Sequence, residues 1–169
     1  AWCWYQHPTE RSSHIGGALP VSGVADTKEL TGEYYSQCAL SHKGKVSCWK
    51  TSWNTPEKPP KASSFHALRD VVEFSGKSAL HRDGTVSYDG KRIKGIRGIR
   101  AIDESAVDTC GILEKGGGVL CWGHHYEDAF GVSSAEEDAH ASHRIPGIEG
   151  AKAIFSKGNQ GHCVTFEQE

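Results

Sequence analysis

Six cysteines in 169 residues are the side chains whose types and spacing carry the most chemistry. Cys38 and Cys48 bracket Ala-Leu-Ser-His-Lys-Gly-Lys-Val-Ser, and Cys110 and Cys121 bracket Gly-Ile-Leu-Glu-Lys-Gly-Gly-Gly-Val-Leu. Each pair flanks a glycine-containing turn between two short apolar runs. That is the pattern of a β-hairpin whose cross-strand cysteines stand close enough to bond. Folding the chain about Lys43 sets Cys38 opposite Cys48 and Leu40 opposite Val46. The other two cysteines lie near the two ends of the chain. Cys163-Val-Thr-Phe begins a copy of the same segment, and Cys3-Trp4 supplies the Cys-Trp that ends the copies at Cys48-Trp49 and Cys121-Trp122. The expected disulfides are therefore Cys38–Cys48, Cys110–Cys121 and Cys3–Cys163, which imply an oxidising compartment.

Other reactive side chains give weaker patterns. The stretch from His124-His125 to His140 and His143 mixes imidazoles with carboxylates, but no spacing in it matches a closed metal site, and the chain has no Cys-x-x-Cys pair. It reads as a solvated acidic loop, so no metal and no cofactor are expected. There is no Gly-x-Ser-x-Gly elbow, and Gly76-Lys77-Ser78 lacks the upstream glycine of a phosphate loop. With every cysteine claimed by a disulfide, no thiol nucleophile is left, and a non-enzymatic protein is expected. The net charge of −2 gives no basic footprint for nucleic acid, and no apolar run approaches the length of a membrane span. Methionine is absent and the chain opens on Ala1, as expected for a mature secreted protein.

The elements that position these cysteines recur along the whole chain. Ser78-Ala-Leu-His-Arg-Asp-Gly-Thr-Val-Ser-Tyr88 aligns without a gap to Cys38–Cys48, giving a further hairpin without cysteines. An apolar octet precedes each copy: Gly23–Leu30, Gly95–Ile102 and Gly147–Ile154 share small or turn residues, an apolar second position, a basic sixth and an apolar eighth, and Ala67–Phe74 is a weaker fourth member. Four two-part units give roughly forty residues per unit, the length of a four-stranded propeller blade. The expected fold is an all-β, four-bladed propeller of antiparallel blades over residues 1–169. One blade would be shared between residues 1–5 and about 147–169, so that pairing of the terminal strands closes the ring.

The repeat resembles the regulator-of-chromosome-condensation family of propellers. The resemblance rests on Gln37-Cys-Ala-Leu-Ser-His-Lys-Gly-Lys-Val-Ser-Cys-Trp49, on Asp108-Thr-Cys-Gly-Ile-Leu with Val119-Leu-Cys-Trp-Gly123, on Lys77-Ser-Ala-Leu-His-Arg-Asp-Gly-Thr-Val-Ser87 and on Gly161-His-Cys-Val-Thr165. It implies four-stranded blades around an axis, with one blade built from both termini. The family's secreted bacterial branch, which docks a propeller face onto β-lactamases, is similar in kind.

The copies differ most in the connectors that follow the tryptophan position: Tyr5–Ser22, Lys50–His66, the short Gly90–Lys94 and Gly123–Pro146. Long connectors on a rigid scaffold carry recognition more often than packing. Tyr5, His7, Trp53, Asn54, His124, His125, Tyr126 and Phe130 are the candidate partner-binding residues, with side chains of the type enriched in binding hot spots. Trp4, Trp49 and Trp122 fall inside the repeat and are expected to pack blades. The functional expectation is a secreted, monomeric effector or inhibitor that docks this loop-rich face onto an extracellular host hydrolase, a papain-like cysteine protease being favoured. The alternative is a carbohydrate-binding lectin.

Overall fold

The computed structural model describes residues 2–3, 19–33, 36–50, 60–65, 68–106, 108–123, 142–156 and 161–167. Every regular element in them is a β-strand, and every strand pairing is antiparallel. The chain divides into two compact units, residues 1–69 and 70–169.

In the first unit, β1 (Trp2–Cys3) pairs with β2 (Leu19–Pro20), and β3 (Thr27–Glu33), β4 (Ser36–Ser41), β5 (Val46–Lys50) and β6 (Ser63–Ser64) form a four-stranded sheet in chain order. The second unit repeats that sheet twice. Its first copy is β7 (Val71–Ser75), β8 (Ser78–His81), β9 (Val86–Tyr88) and β10 (Lys91–Arg92). The second is β11 (Ile99–Glu104), β12 (Thr109–Leu113), β13 (Val119–Trp122) and β14 (Ser142–Arg144), followed by the pair β15 (Ala153–Ser156) and β16 (His162–Thr165).

The repeat dictates the backbone residue by residue. At the hairpin tips Gly44 and Gly84 both take φ 74, the left-handed value a three-residue loop requires, and their N–H groups bond Ser41 O and His81 O at 2.9 Å. The longer third tip spreads the same bend over Gly116 and Gly117, at φ 79 and 61. The fourth residue of every octet is also left-handed: Asp26 and Asp70 at φ 55, Gly98 at 69 and Gly150 at 72. Aspartate tolerates this region better than most residues, which explains why Asp and Gly alternate there. A register shift follows at the same place in three first strands, between Thr27 and Glu29, Val71 and Glu73, and Ile99 and Ala101. Such a bulge bends the strand and increases its twist.

The expected hairpin register is present: Cys38 faces Cys48 and Leu40 faces Val46. The Cys38–Cys48 and Cys110–Cys121 disulfides are formed, with Cα–Cα separations of 4.1 and 4.0 Å. The third expected bridge, Cys3–Cys163, involves the side chain of Cys3, which lies outside the described residues; Cys163 is an exposed thiol on β16, facing Phe155 of β15.

The core lies in slices. Leu80, Val86, Ile93, Ile96, Ile99, Ile102 and Trp122 fill one between the sheets β7–β10 and β11–β14. Cys110, Ile112, Val119, Cys121 and Ala151 fill the next, with Ile154 and Val164 of β15–β16 against them. In the first unit Trp49 packs with Val21 and Ala39. Trp49 and Trp122 are thus packing residues as expected, whereas Trp4 lies outside the described residues. The apolar eighth position of the octet is buried at Phe74 and Ile102 but is 57% exposed at Leu30.

Candidate functional site

The densest chemistry among the described residues is a buried ionic cluster where β15–β16 meets β11–β14. His162, the first residue of β16, puts Nδ1 3.1 Å from Asp103 Oδ2 and Nε2 2.8 Å from Asp108 Oδ1. Its side chain is 8% exposed, against 20% for Asp103 and 13% for Asp108. Asp103 comes from β11, opposite Cys110 in the register, and Asp108 immediately precedes β12. The turn between them is locked by Ser105. Its N–H donates to Asp108 O at 2.8 Å, its Oγ accepts from Asp108 N at 3.2 Å, and the hydroxyl donates to Asp108 Oδ1. A side-chain oxygen closing its own turn in this way fixes a carboxylate that would otherwise swing freely.

The placement of His162 follows from the repeat. The residue before the first cysteine position reads Gln37, Lys77, Thr109 and His162 in the four copies. On β12 that residue, Thr109, reaches back to the preceding sheet and shares a buried 3.1 Å hydrogen bond with Ser78, the cysteine-equivalent of that sheet. His162 makes the same step from β16 and lands beside Cys110. Around it, Ser156 Oγ donates to Glu104 O at 3.3 Å, and Arg100 reaches Lys152 O at 3.2 Å.

Burial alone would lower the pKa of His162. The hydrogen bonds and charges of Asp103 and Asp108 outweigh it and raise the value from 6.5 to about 9. Asp108, also opposed by its burial, is held below the usual carboxylate range by hydrogen bonds from His162 and Ser105. At neutral pH the cluster is an imidazolium donating both N–H groups to carboxylates. No ring nitrogen is free to accept a proton, and Ser105 faces a carboxylate, not the imidazole, so this is no nucleophile–base pair. It is a charged staple that fastens β16 to the turn before β12.

The sulfur of Cys110, the carboxylate of Asp108 and the imidazole of His162 offer donor atoms that all lie within 4.8 Å of one another. In the oxidised protein that sulfur is committed to Cys121. Sequence reasoning weighed metal chemistry only in the 124–143 stretch, expected none there, and missed this group. The available signal was the alignment of Gln37, Lys77, Thr109 and His162, in which only the last copy carries an imidazole.

The proposed partner-binding residues Tyr5, His7, Trp53, Asn54, His124, His125, Tyr126 and Phe130 all lie outside the described residues. The described strands do define where their segments attach. One segment joins the paired strands β1 and β2, from Cys3 to Leu19, and two join the third strand of a four-stranded sheet to its fourth: Lys50 of β5 to Ser63 of β6, and Trp122 of β13 to Ser142 of β14. In the remaining sheet the same connection is the tight turn Asp89-Gly90, with φ 45 and 78.

No protein-family model matches the chain, and no curated protein is significantly similar to it. Solved structures are. Yeast RCC1 (Prp20) in a crystal structure bound to Kap60 superposes with a TM-score of 0.56 at 13% identity, over 81% of this chain and 41% of that one. Prp20p from Saccharomyces cerevisiae, in a study of its binding to Gsp1p and histones, gives 0.52 at 14%, over 80% and 43%. Human WBSCR16 gives 0.56 at 14%, over 82% and 44%. The chain therefore spans less than half the length of these proteins. The likeness is one of fold: an all-β chain of antiparallel sheets whose solved structural neighbours are RCC1-repeat β-propellers.

Proposed function

We propose that this chain is a non-enzymatic protein-binding propeller module whose recognition surface is the set of connectors between third and fourth strands. The observation that carries the reading is the contrast within one repeat. Strands, tips and bulges are copied from sheet to sheet, while the third-to-fourth connection is a two-residue turn in one sheet and a long segment in the others. Variation confined to one connector of a rigid scaffold is the arrangement by which repeat folds carry different partners. The solved structures it resembles support this coarse reading, since RCC1 (Prp20) is bound to Kap60 in one, and binding to Gsp1p and histones is the subject of another.

In its specific form the proposal is a secreted effector or inhibitor that presents Trp53, Tyr126 and their neighbours to an extracellular host hydrolase, a papain-like cysteine protease. It keeps the four-blade count: β1–β2 carry the third- and fourth-strand positions of the repeat, and β15–β16 carry the first and second. Two disulfides favour an oxidising setting. Affinity capture from extracellular fluid with the intact protein tests the reading. Recovery of a hydrolase whose activity falls on binding supports it, and specific elution by free sugars instead would favour a lectin.

A further inference from the structure

The two disulfides occupy the same place in the repeat but have different surroundings. At Cys38–Cys48 the residues aligned with Asp103 and Asp108 are Thr31 and Ser36. At Cys110–Cys121 a carboxylate and an imidazole stand on the sulfur side of the hairpin, with all three donor types within 4.8 Å. Ligands about 2.0–2.3 Å from a zinc ion are roughly 3.3–3.8 Å from one another, so the widest gap in the group needs to close by only about an ångström, while Asp108 and His162, now 2.8 Å apart, open by less than that.

The arrangement extends past the first ligands. A metal-bound histidine usually donates its other ring N–H to a carboxylate, which fixes the tautomer and the ring plane. Asp103 is already in that position, 3.1 Å from Nδ1, while Asp108 lies at Nε2, 2.8 Å away, and the Cys110 sulfur completes the group within 4.8 Å. Ser105 orients Asp108 in turn. The fourth donor is Cys121, whose Cα is 4.0 Å from that of Cys110. Two thiolates, one imidazole and one carboxylate form a tetrahedral set suited to zinc.

We propose that reduction of Cys110–Cys121 by a dithiol converts this blade's core into a zinc site held by Cys110, Cys121, Asp108 and His162, with Asp103 as the positioning residue on Nδ1. In the exchange the dithiol is oxidised to its disulfide, and its two electrons and two protons pass to Cys110 and Cys121. Zinc then displaces both thiol protons and the proton on Nε2 of His162, and all three leave to solvent. The ion takes over the cross-strand tie that the disulfide gives up, so this blade keeps a covalent brace in reducing as well as oxidising surroundings. Cys38–Cys48, without carboxylate or imidazole neighbours at the aligned positions, has no such second state.

The test uses cobalt(II) as a spectroscopic substitute for zinc, on protein carrying Cys3→Ser and Cys163→Ser, so that after reduction the only thiols outside the proposed site are Cys38 and Cys48. After phosphine reduction and desalting without oxygen, one cobalt per chain should bind. It should give thiolate charge-transfer and tetrahedral ligand-field bands that added zinc abolishes, and the oxidised protein should give none. Asp103→Asn should weaken binding by about 10–100-fold while leaving the bands tetrahedral, as loss of an outer partner does. His162→Gln and Asp108→Asn should weaken it further, and Cys38→Ser with Cys48→Ser should change nothing. Because reduced variants risk unfolding, Cys121→Ser gives a second route: it frees Cys110 without reductant and should bind cobalt through a single thiolate. The proposal is overturned if reduced protein shows no tetrahedral cobalt bands, if the bands survive unchanged in both His162→Gln and Asp108→Asn, or if they depend on Cys38 and Cys48.

Discussion

The charged staple at His162 makes a pH prediction whose size can be worked out. In the folded protein the His162 pKa stands near 9, against 6.5 for an unconstrained histidine. A raised folded pKa contributes stability that is complete below pH 6.5 and is lost as pH rises through 9. At 1.36 kcal/mol per pKa unit the contribution is about 3 kcal/mol. Asp108 has the opposite sign: its folded pKa is depressed, so its contribution is present above its ordinary value and fades as acid protonates it. Stability from this cluster should therefore be greatest between about pH 4 and 6.5. The assay is urea unfolding of the oxidised protein at pH 6, 7.5 and 9.5 with a chelator present, alongside His162→Gln, both carrying Cys163→Ser. At pH 6 the variant should be about 3 kcal/mol less stable, since two partly buried carboxylates lose their shared cation. By pH 9.5 most of that deficit should vanish because the parent protein has lost its imidazolium. A deficit of the same size at pH 6 and 9.5 would refute the reasoning and reduce His162 to a packing residue.

Three further outcomes follow from the packing. Gly111→Ala should destabilise by about 1–3 kcal/mol, because an added Cβ would meet Ile99 Cγ2 at 2.8 Å and the Trp122 ring at 3.0 Å; thermal unfolding reads this, and the aligned positions already hold Ala39 and Ala79. Replacing Cys38 and Cys48 by serine should cost about 3 kcal/mol by chain entropy for a loop of sequence separation 10, measured as a fall in the urea midpoint. Trp122→Ala should cost about 3–5 kcal/mol of stability, whereas Trp53→Ala and Tyr126→Ala should leave the melting temperature nearly unchanged and weaken partner binding by about 1–4 kcal/mol each.

The parts of this structure that were legible in the sequence are those where one residue's local conformation leaves little choice. Glycine at 44 and 84 announces the hairpin tips, and the cysteines that flank Gly44 give the register of that hairpin without reference to distant segments. The octets were legible as a repeat, but not the reason for their fourth residue. Only the backbone shows that Asp26, Asp70, Gly98 and Gly150 share one left-handed turn. The His162 cluster was missed because it depends on how one sheet is staggered against the next. That offset brings Thr109 to Ser78 and His162 to Asp103 and Asp108.

The most direct test of the central claim, recognition of a protein through the third-to-fourth connectors, is titration of the intact protein into a papain-like cysteine protease with a fluorogenic substrate. It should be run in parallel with the double variant Trp53→Ala/Tyr126→Ala and with a variant changed at the hairpin tips, Lys43, Asp83 and Lys115. The account predicts saturable inhibition that is lost in the connector variant and kept in the tip variant, with both folded. Inhibition unaffected by the connector changes but abolished at the tips would contradict it.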